Sequence, residues 1–399
     1  MDVLIVGAGM GGLTAALAVH SQGFTPHVFE QSEQIEEVGA GLQIGPNGSH
    51  VLRALDVLEP IAARAFRPQA AEMRFGPTGQ QIFSFPLGAE IEARHGAPYL
   101  HIHRADLQQE LVAALEQRAP GALHLGKAIT GFDQSASGVS LTLQDGTTVT
   151  GDVLIGADGI HSKIRTGLFG AAKPRFTGNT AWRAIVPVDR VRKNLIPPNA
   201  TVWAGPHGHV VTYYLRGGEL INIVGVREAR DWQNESWTTP GSKQELLKDF
   251  APWCADIQEL LHAVENDTCF KWALHDRDPM KNWSKGRVSL LGDACHPTLP
   301  FLAQGAVMAI EDAYVLARCL AQSPDAPQQA LQSYQSARMK RTAKVQLGSR
   351  ANSRFFHKSN LFSQGLTYGP VWLAGKVAPG FIASQLDWLY GEDVTRKGP

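Results

Sequence analysis

The chain opens on Asp2-Val-Leu-Ile-Val6-Gly7-Ala-Gly9-Met-Gly-Gly12-Leu13-Thr-Ala-Ala-Leu-Ala-Val-His20. The apolar run before Gly7 reads as a strand buried on both faces, and the run after Gly12 as the helix that follows it. Gly7 permits a tight turn, Gly9 lets backbone approach a pyrophosphate, and Gly12 lets helix and strand pack closely. The helix N-terminus then presents free N–H groups and a partial positive charge to an anion. A second apolar strand, His27-Val-Phe-Glu30, ends in an acid where a ribose hydroxyl needs an acceptor. Strand, glycines, helix and terminal acid together specify a Rossmann-like dinucleotide fold.

Lys plus Arg equals Asp plus Glu, 37 each, so no global field recruits nucleic acid or an acidic membrane. The cysteines Cys254, Cys269, Cys295 and Cys319 form no C-x-x-C pair and fit neither a disulfide framework nor a zinc site. His161 and His296 have no second ligand at useful spacing, so no metal is expected. The first strand begins at Asp2, no targeting segment is read before it, and a reducing cytoplasm is the expected location. The most membrane-like stretch, residues 368–382, contains Lys376, Pro379 and several glycines. It reads as an element packed on the core or on the partner of a homodimer rather than as a membrane contact.

Nucleotide-type segments return along the chain as if one domain were assembled from pieces. A Gly-rich loop, Glu37-Val-Gly-Ala-Gly41-Leu-Gln-Ile-Gly45, leads into a helix, and Tyr99-Leu-His-Ile-His103 feeds another that runs to about Arg118. Asp145-Gly146 joins two strands of a hairpin. Asp152-Val-Leu-Ile-Gly156 and Arg287-Val-Ser-Leu-Leu-Gly292 are further buried strands ending in tight turns. Between them, from about 176 to 272, short strands with Gly-rich turns read as a mostly antiparallel inserted sheet. The expected plan is an α/β protein with a parallel sheet. A first part of the nucleotide domain spans 1–175, a substrate-binding sheet 176–275, the domain's final part 276–325, and a helical region 326–399. The charges Arg338, Lys340, Arg341 and Lys344 read as a solvated or partner-facing helix surface.

Three segments in this order resemble the single-component flavoprotein aromatic hydroxylases: Gly7-x-Gly9-x-x-Gly12 with Glu30, Gly156-Ala-Asp158-Gly159, and Gly292-Asp293-Ala-Cys-His296-Pro297. Three more, His103-Arg104-Ala-Asp-Leu, His209-x-x-x-Tyr213-x-Leu-Arg-Gly-Gly and Gln304-Gly305-Ala306-x-Met-Ala-Ile-Glu311-Asp312, are similar to the branch acting on small phenolic or hydroxypyridine acids. That branch includes salicylate, 3-hydroxybenzoate and 6-hydroxynicotinate hydroxylases. The resemblance implies FAD in the first fold, NADH or NADPH as a transient reductant, and dioxygen as co-substrate. A phenolic acid is then hydroxylated through a flavin hydroperoxide. Glu30 would hold the adenosine ribose, and Arg104 would sit near the pyrophosphate or ribityl chain. Asp293 would accept from a ribityl or pyrophosphate-side hydroxyl, capping the next turn being its rival role. Gly305 and Ala306 would start a helix aimed at the flavin's pyrimidine oxygen. Asp158 belongs to the segment the family links to FAD and NAD(P)H, with a simple tight turn as the alternative.

Strand alternation puts His209, Val211 and Tyr213 on one face, so a base, an apolar wall and a hydroxyl line one pocket. In the resemblance His209, neutral at its usual pKa, accepts the phenol proton, and Tyr213 bonds the substrate's hydroxyl or carboxylate. The alternative for both is ordinary core packing. Pro300 matches the salicylate and hydroxynicotinate branches, but Phe301 replaces a histidine expected in both. A more apolar pocket suits a benzene ring better than a pyridine, so the substrate is expected to be of salicylate or 3-hydroxybenzoate type, with a hydroxypyridine carboxylate as the alternative. An NAD-linked dehydrogenase leaves the Gly292-Asp293 segment without a role, and a non-catalytic flavin sensor is the remaining reading.

Overall fold

The strand Asp2–Val6 lies inside a six-stranded sheet, between Thr25–Phe29 on one side and Val153–Gly156 on the other, parallel to both. Val288–Leu290 extends the sheet in parallel beyond Val153–Gly156, and Leu123–His124 extends it beyond Thr25–Phe29. The structure is a computed structural model, and it describes residues 1–35, 40–229, 239–266 and 268–396. Helix Met10–Ser21 is buried almost throughout, between the sheet and helices Arg104–Arg118 and Gly305–Gln322. That position explains its nearly all-apolar sequence, because no face meets water. The turn before it is as tight as the sequence implies. Gly7 has φ +102°, and a Cβ on Gly12 would stand 1.9 Å from the Gly7 carbonyl oxygen. Asp145-Gly146 closes the expected hairpin, with Gly146 at φ +83° and Leu143 accepting from its N–H.

The second sheet has seven strands in the order Phe270–Asp276, Arg175–Pro187, Leu220–Glu228, Gly208–Leu215, Ala200–Gly205, Ala70–Phe75, Gln81–Pro86. The sheet is therefore wider than residues 176–275: its last two strands come from the first part of the chain. Ala70–Phe75 pairs in parallel with Ala200–Gly205, and the other pairs are antiparallel. Trp182, Trp203 and Val210 point to the outer face and pack with Phe250, Trp253 and Ile257. The opposite face holds Ala181, Val202, Ala204, Val224 and Val226 and meets Leu299, Phe301 and Phe356.

Helix Pro327–Phe356 corrects the reading of its charges. Lys340 and Lys344 are exposed, but Arg338 is buried and Arg341 is largely covered. A spacing of three residues places the two arginines together on the face turned to helix Gly305–Gln322, where buried Glu311 and Asp312 await them. The following helix, Leu361–Val377, packs Tyr368 inward, its hydroxyl donating to the Phe355 and Phe356 carbonyls at 3.0 and 3.1 Å. Its outer side leaves Phe362, Leu366, Leu373 and Val377 exposed. Among the described residues no helix is long and apolar enough to cross a membrane.

Candidate active site

The first cradle is built by the glycine turn and Glu30. Gly7 N–H donates to the Phe29 carbonyl, which docks the turn on the end of the second strand. One Glu30 oxygen accepts from Ala8 N–H at 2.8 Å and the other from Ser32 N–H at 3.0 Å. The carboxylate is thus fixed at the rim of the turn. Around Gly9 there is open space, with no atom within 4 Å of where a Cβ would sit, although Gly7 and Gly12 are hemmed in by backbone. A phosphate can approach Gly9 and the helix start behind it. Of the Gly-rich loop, residues 37–39 lie outside the described residues. Its continuation forms strand Gly41–Ile44, paired antiparallel with Leu100–His103.

Asp293 and Arg104 stand close enough for each to act on the other's charge. Asp293 keeps solvent-exposed surface although protein atoms crowd it on every side. That crowding raises its pKa against the opposing pull of His296 and Arg104. Among the described residues its carboxylate caps no turn, so its oxygens remain available to a hydroxyl. Gly305 starts an 18-residue helix, and both it and Ala306 are half-exposed. Both elements rest on a buried ionic network. Arg338 donates to Glu311 at 2.5 Å and to Asp312 at 2.7 Å, Arg341 donates to Glu311, and His296 Nε2 lies 2.5 Å from Asp312. Asn47 donates to Glu311 and to Gln304, the residue before Gly305, while Gly292 N–H donates to Asp312 at 3.3 Å. The network therefore fixes the two turns that carry Asp293 and Gly305.

Asp158 stands just before a short helix. One carboxylate oxygen accepts from Lys163 N–H at 2.7 Å and from Ile164 N–H at 3.2 Å, so it holds the start of helix Lys163–Phe169. Its contacts support the turn reading, although its other oxygen is buried without a hydrogen bond. The pairing of two other motifs does have a structural cause. Arg216 donates to both oxygens of Asp106 at 3.0 and 2.8 Å, tying the end of strand Gly208–Leu215 to the helix that begins with Arg104.

His209 and Tyr213 share a strand face and have separate ring neighbours. The His209 ring is buried between Phe301, in an edge-on contact at 5.0 Å, and Phe356 at 5.1 Å. Its Nδ1 lies 2.7 Å from His357 Nε2, which leaves Nε2 for a ligand. Burial, and then the neighbouring His357, push its pKa well below the ordinary histidine value, rather than leaving it there. Tyr213, four residues on, packs on His101 at 4.7 Å and fills the place a Cβ of Gly41 would take. Burial raises its hydroxyl pKa, so it stays a neutral donor. Between the two lie Val211 and its cross-strand neighbours Val202 and Val224, an apolar floor. Pro300 is exposed at the edge of this region, one residue before Phe301.

Two side chains here escape a sequence reading. Arg183 is buried on the same face, directly across from Val224, with its guanidinium 5.1 Å from the Phe270 ring and 5.9 Å from Trp272. Burial, and then the nearby Arg104, lower its pKa to about 10, so it remains a cation. A strand pattern could have placed it on that face, but nothing local marks it as functional. His357, at the end of the long helix, is 148 residues from the His209 it contacts. No local signal could have found that pair.

Comparison with known proteins agrees with this geometry. The family described as "FAD binding domain" matches residues 1–348. The 3-amino-4-hydroxybenzoate 2-monooxygenase PtnB3 of Streptomyces platensis is 37% identical over 99% of this chain and 97% of its own. The 3-hydroxybenzoate 6-hydroxylase of Polaromonas naphthalenivorans is 36% identical over 99% of this chain and 96% of its own. Among solved structures, HpxO of Klebsiella pneumoniae complexed with FAD and uric acid superposes with a TM-score of 0.85 at 27% identity, covering 97% of this chain and 97% of that one. The open space at Gly9, the fixed Glu30 carboxylate and the uncapped Asp293 carboxylate fit the binding of a dinucleotide. The chain belongs to the FAD-dependent flavoprotein aromatic hydroxylases.

Proposed function

We propose that this hydroxylase acts on a small phenolic carboxylic acid, with NAD(P)H as the transient reductant and dioxygen as co-substrate. The observation that carries this reading is the wall of the second sheet: a buried neutral imidazole, an apolar floor and a buried guanidinium on one face. The aromatic ring of such a substrate lies on Val202, Val211 and Val224, where its burial favours binding. Arg183 offers its carboxylate a cation, worth about 1.5–3 kcal/mol as a charge-assisted hydrogen bond. His209 Nε2 accepts the phenol proton, which makes the ring more electron-rich and faster to attack an electrophilic oxygen. Tyr213 donates a hydrogen bond at the far end of the floor. Phe301 covers His209 and keeps water from the reacting atoms.

FAD, when bound, supplies the two-electron chemistry and the activation of dioxygen. Gly7, Gly9, Gly12 and Glu30 would hold its adenosine and pyrophosphate part. Arg104 and Asp293 would hold the linking chain, and the Gly305-Ala306 helix start would stabilise negative charge on the ring system. Phe301 stands where the resemblance implies a histidine in both the salicylate and the hydroxynicotinate branches, and its more apolar ring suits a benzene ring better than a pyridine. Screening hydroxybenzoates and hydroxynicotinates for stimulated NADH and NADPH oxidation, with peroxide and product measured together, tests the reading. Hydroxybenzoates should give product, whereas stimulation by hydroxynicotinates alone would overturn the substrate class.

A further inference from the structure

A weakened base poses a problem that the surrounding residues solve. The His209 ring is buried and held neutral, so an imidazolium left there after taking a phenol proton is costly. The proton needs an onward path. His209 Nδ1 is 2.7 Å from His357 Nε2. On the far side of that ring, His357 Nδ1 is buried without a hydrogen bond and lies 3.5 Å from Glu228 Oε1. Glu228 Oε2 in turn lies 2.9 Å from Nδ1 of His207. Glu228 is 46% exposed and His207 52% exposed, so the line starts in the site and ends in water. His207, at φ +58°, sits in the turn between strands Ala200–Gly205 and Gly208–Leu215, just before the strand that carries His209.

We propose that His357 and Glu228 form a proton relay that carries the phenol proton from His209 to solvent. The proposal rests on the reading of His209 as the base. The steps balance without a buried cation. The phenol O–H bond breaks as its proton binds His209 Nε2, while the Nδ1 proton of His209 passes to His357 Nε2. The Nδ1 proton of His357 passes to Glu228, which releases it to water. Both rings end neutral, each in its other tautomer, and the substrate ends as phenolate. Among the described residues, the charged and titratable groups that act on His357 are His209, Glu228, Arg227 and His207. Burial, outweighing the pull of Glu228, holds the His357 pKa at about 4, so this ring too passes a proton on rather than keeping it. His357 and Glu228 touch no substrate and act only through His209.

The test uses the FAD-loaded, oxidised enzyme mixed rapidly with 3-hydroxybenzoate in weakly buffered solution containing a pH indicator. Wild-type enzyme should release about one proton per substrate bound, at a rate independent of buffer concentration. His357→Gln should keep FAD content and substrate affinity but slow the release about tenfold or more, on the scale of a lost proton-transfer group. Glu228→Gln should slow it less, and added buffer should restore the rate, because the substituted group is half in water. A merely structural role for either residue predicts no buffer dependence. If His357→Gln does not retain FAD, Glu228→Gln alone decides. Release unaffected in both variants, while His209→Gln abolishes it, would overturn the relay and leave His209 as the base. No release from wild type, or release unaffected by His209→Gln, would overturn the base itself.

Discussion

Arg338→Met tests whether the ionic network beneath the site is what holds it in shape. Arg338 spans two carboxylates that are both fully buried, Glu311 and Asp312. Removing one partner of a buried ion pair costs about 3–5 kcal/mol, because a charge is left without compensation. Here each carboxylate keeps one other cation, Arg341 on Glu311 and His296 on Asp312, so the low end of the range, about 3 kcal/mol, is expected. Destabilisation of that size lowers the melting temperature by roughly 5–10 °C in a domain of moderate size. FAD retention should fall with it, because Asp312 also holds the Asp293 turn and Glu311 holds Asn47 and through it Gln304. Lys340→Met, on the exposed side of the same helix, should change neither. Thermal denaturation and flavin absorbance of the gel-filtered proteins measure both effects. An Arg338→Met protein as stable and as yellow as wild type would refute the reasoning.

The same network sets a pH window. Burial raises the Glu311 and Asp312 pKa values, but the paired cations outweigh it, and both end below their ordinary values of 4.5 and 3.8. Their contribution is therefore present above those values and lost as pH falls through the lower folded ones. His296 goes the other way. Burial lowers its pKa, but the paired Asp312 carboxylate outweighs burial and holds it well above 6.5, so its contribution is complete below 6.5 and lost as pH rises through the folded value. Stability should plateau from about pH 4.5 to beyond 6.5.

Further outcomes follow from the cradle and the wall. Glu30→Gln and Asp293→Asn should weaken FAD binding, read as colour lost on gel filtration, and full retention in both would remove them from the cofactor site. Phe301→Ala should divert reducing equivalents to peroxide while flavin reduction persists, and unchanged yields of product and peroxide per NADH would show that Phe301 does not cover the site. Arg183→Gln should raise KM for hydroxybenzoates by roughly 10–100-fold with little change for the parent phenols, matching one charge-assisted contact. Equal effects on both substrates would refute the carboxylate role. His209→Ala should slow ring hydroxylation by about 10²-fold or more, with the defect shrinking at high pH where solvent ionises the phenol. A defect that is the same at every pH would make His209 structural.

The nucleotide fold was legible because its signals are local. Gly7, Gly12 and Glu30 meet within one strand-helix-strand unit, and the structure finds them bonded within that unit. The strands Ala70–Phe75 and Gln81–Pro86 were not legible as part of the inserted sheet, because Ala200–Gly205, the strand through which Ala70–Phe75 joins it, lies more than a hundred residues away. Charge alone misled at Arg338 and Arg341, where helical phase, not composition, decides which side of a helix meets its buried acids. Alternation correctly put His209 and Tyr213 on one face. It could not show that His357 arrives from the C-terminal helix while Gly41 and His101 arrive from the first domain.

On the proposed function, this hydroxylase inserts one atom of dioxygen into a phenolic ring. Purified FAD-loaded protein incubated with NADH, 3-hydroxybenzoate and oxygen-18 gas tests it most directly, with the product weighed by mass spectrometry. The expected product is a hydroxylated acid carrying one heavy oxygen atom, formed in step with NADH oxidation. A product whose new oxygen comes from water, or NADH oxidation that yields only peroxide with every hydroxybenzoate tried, would contradict it.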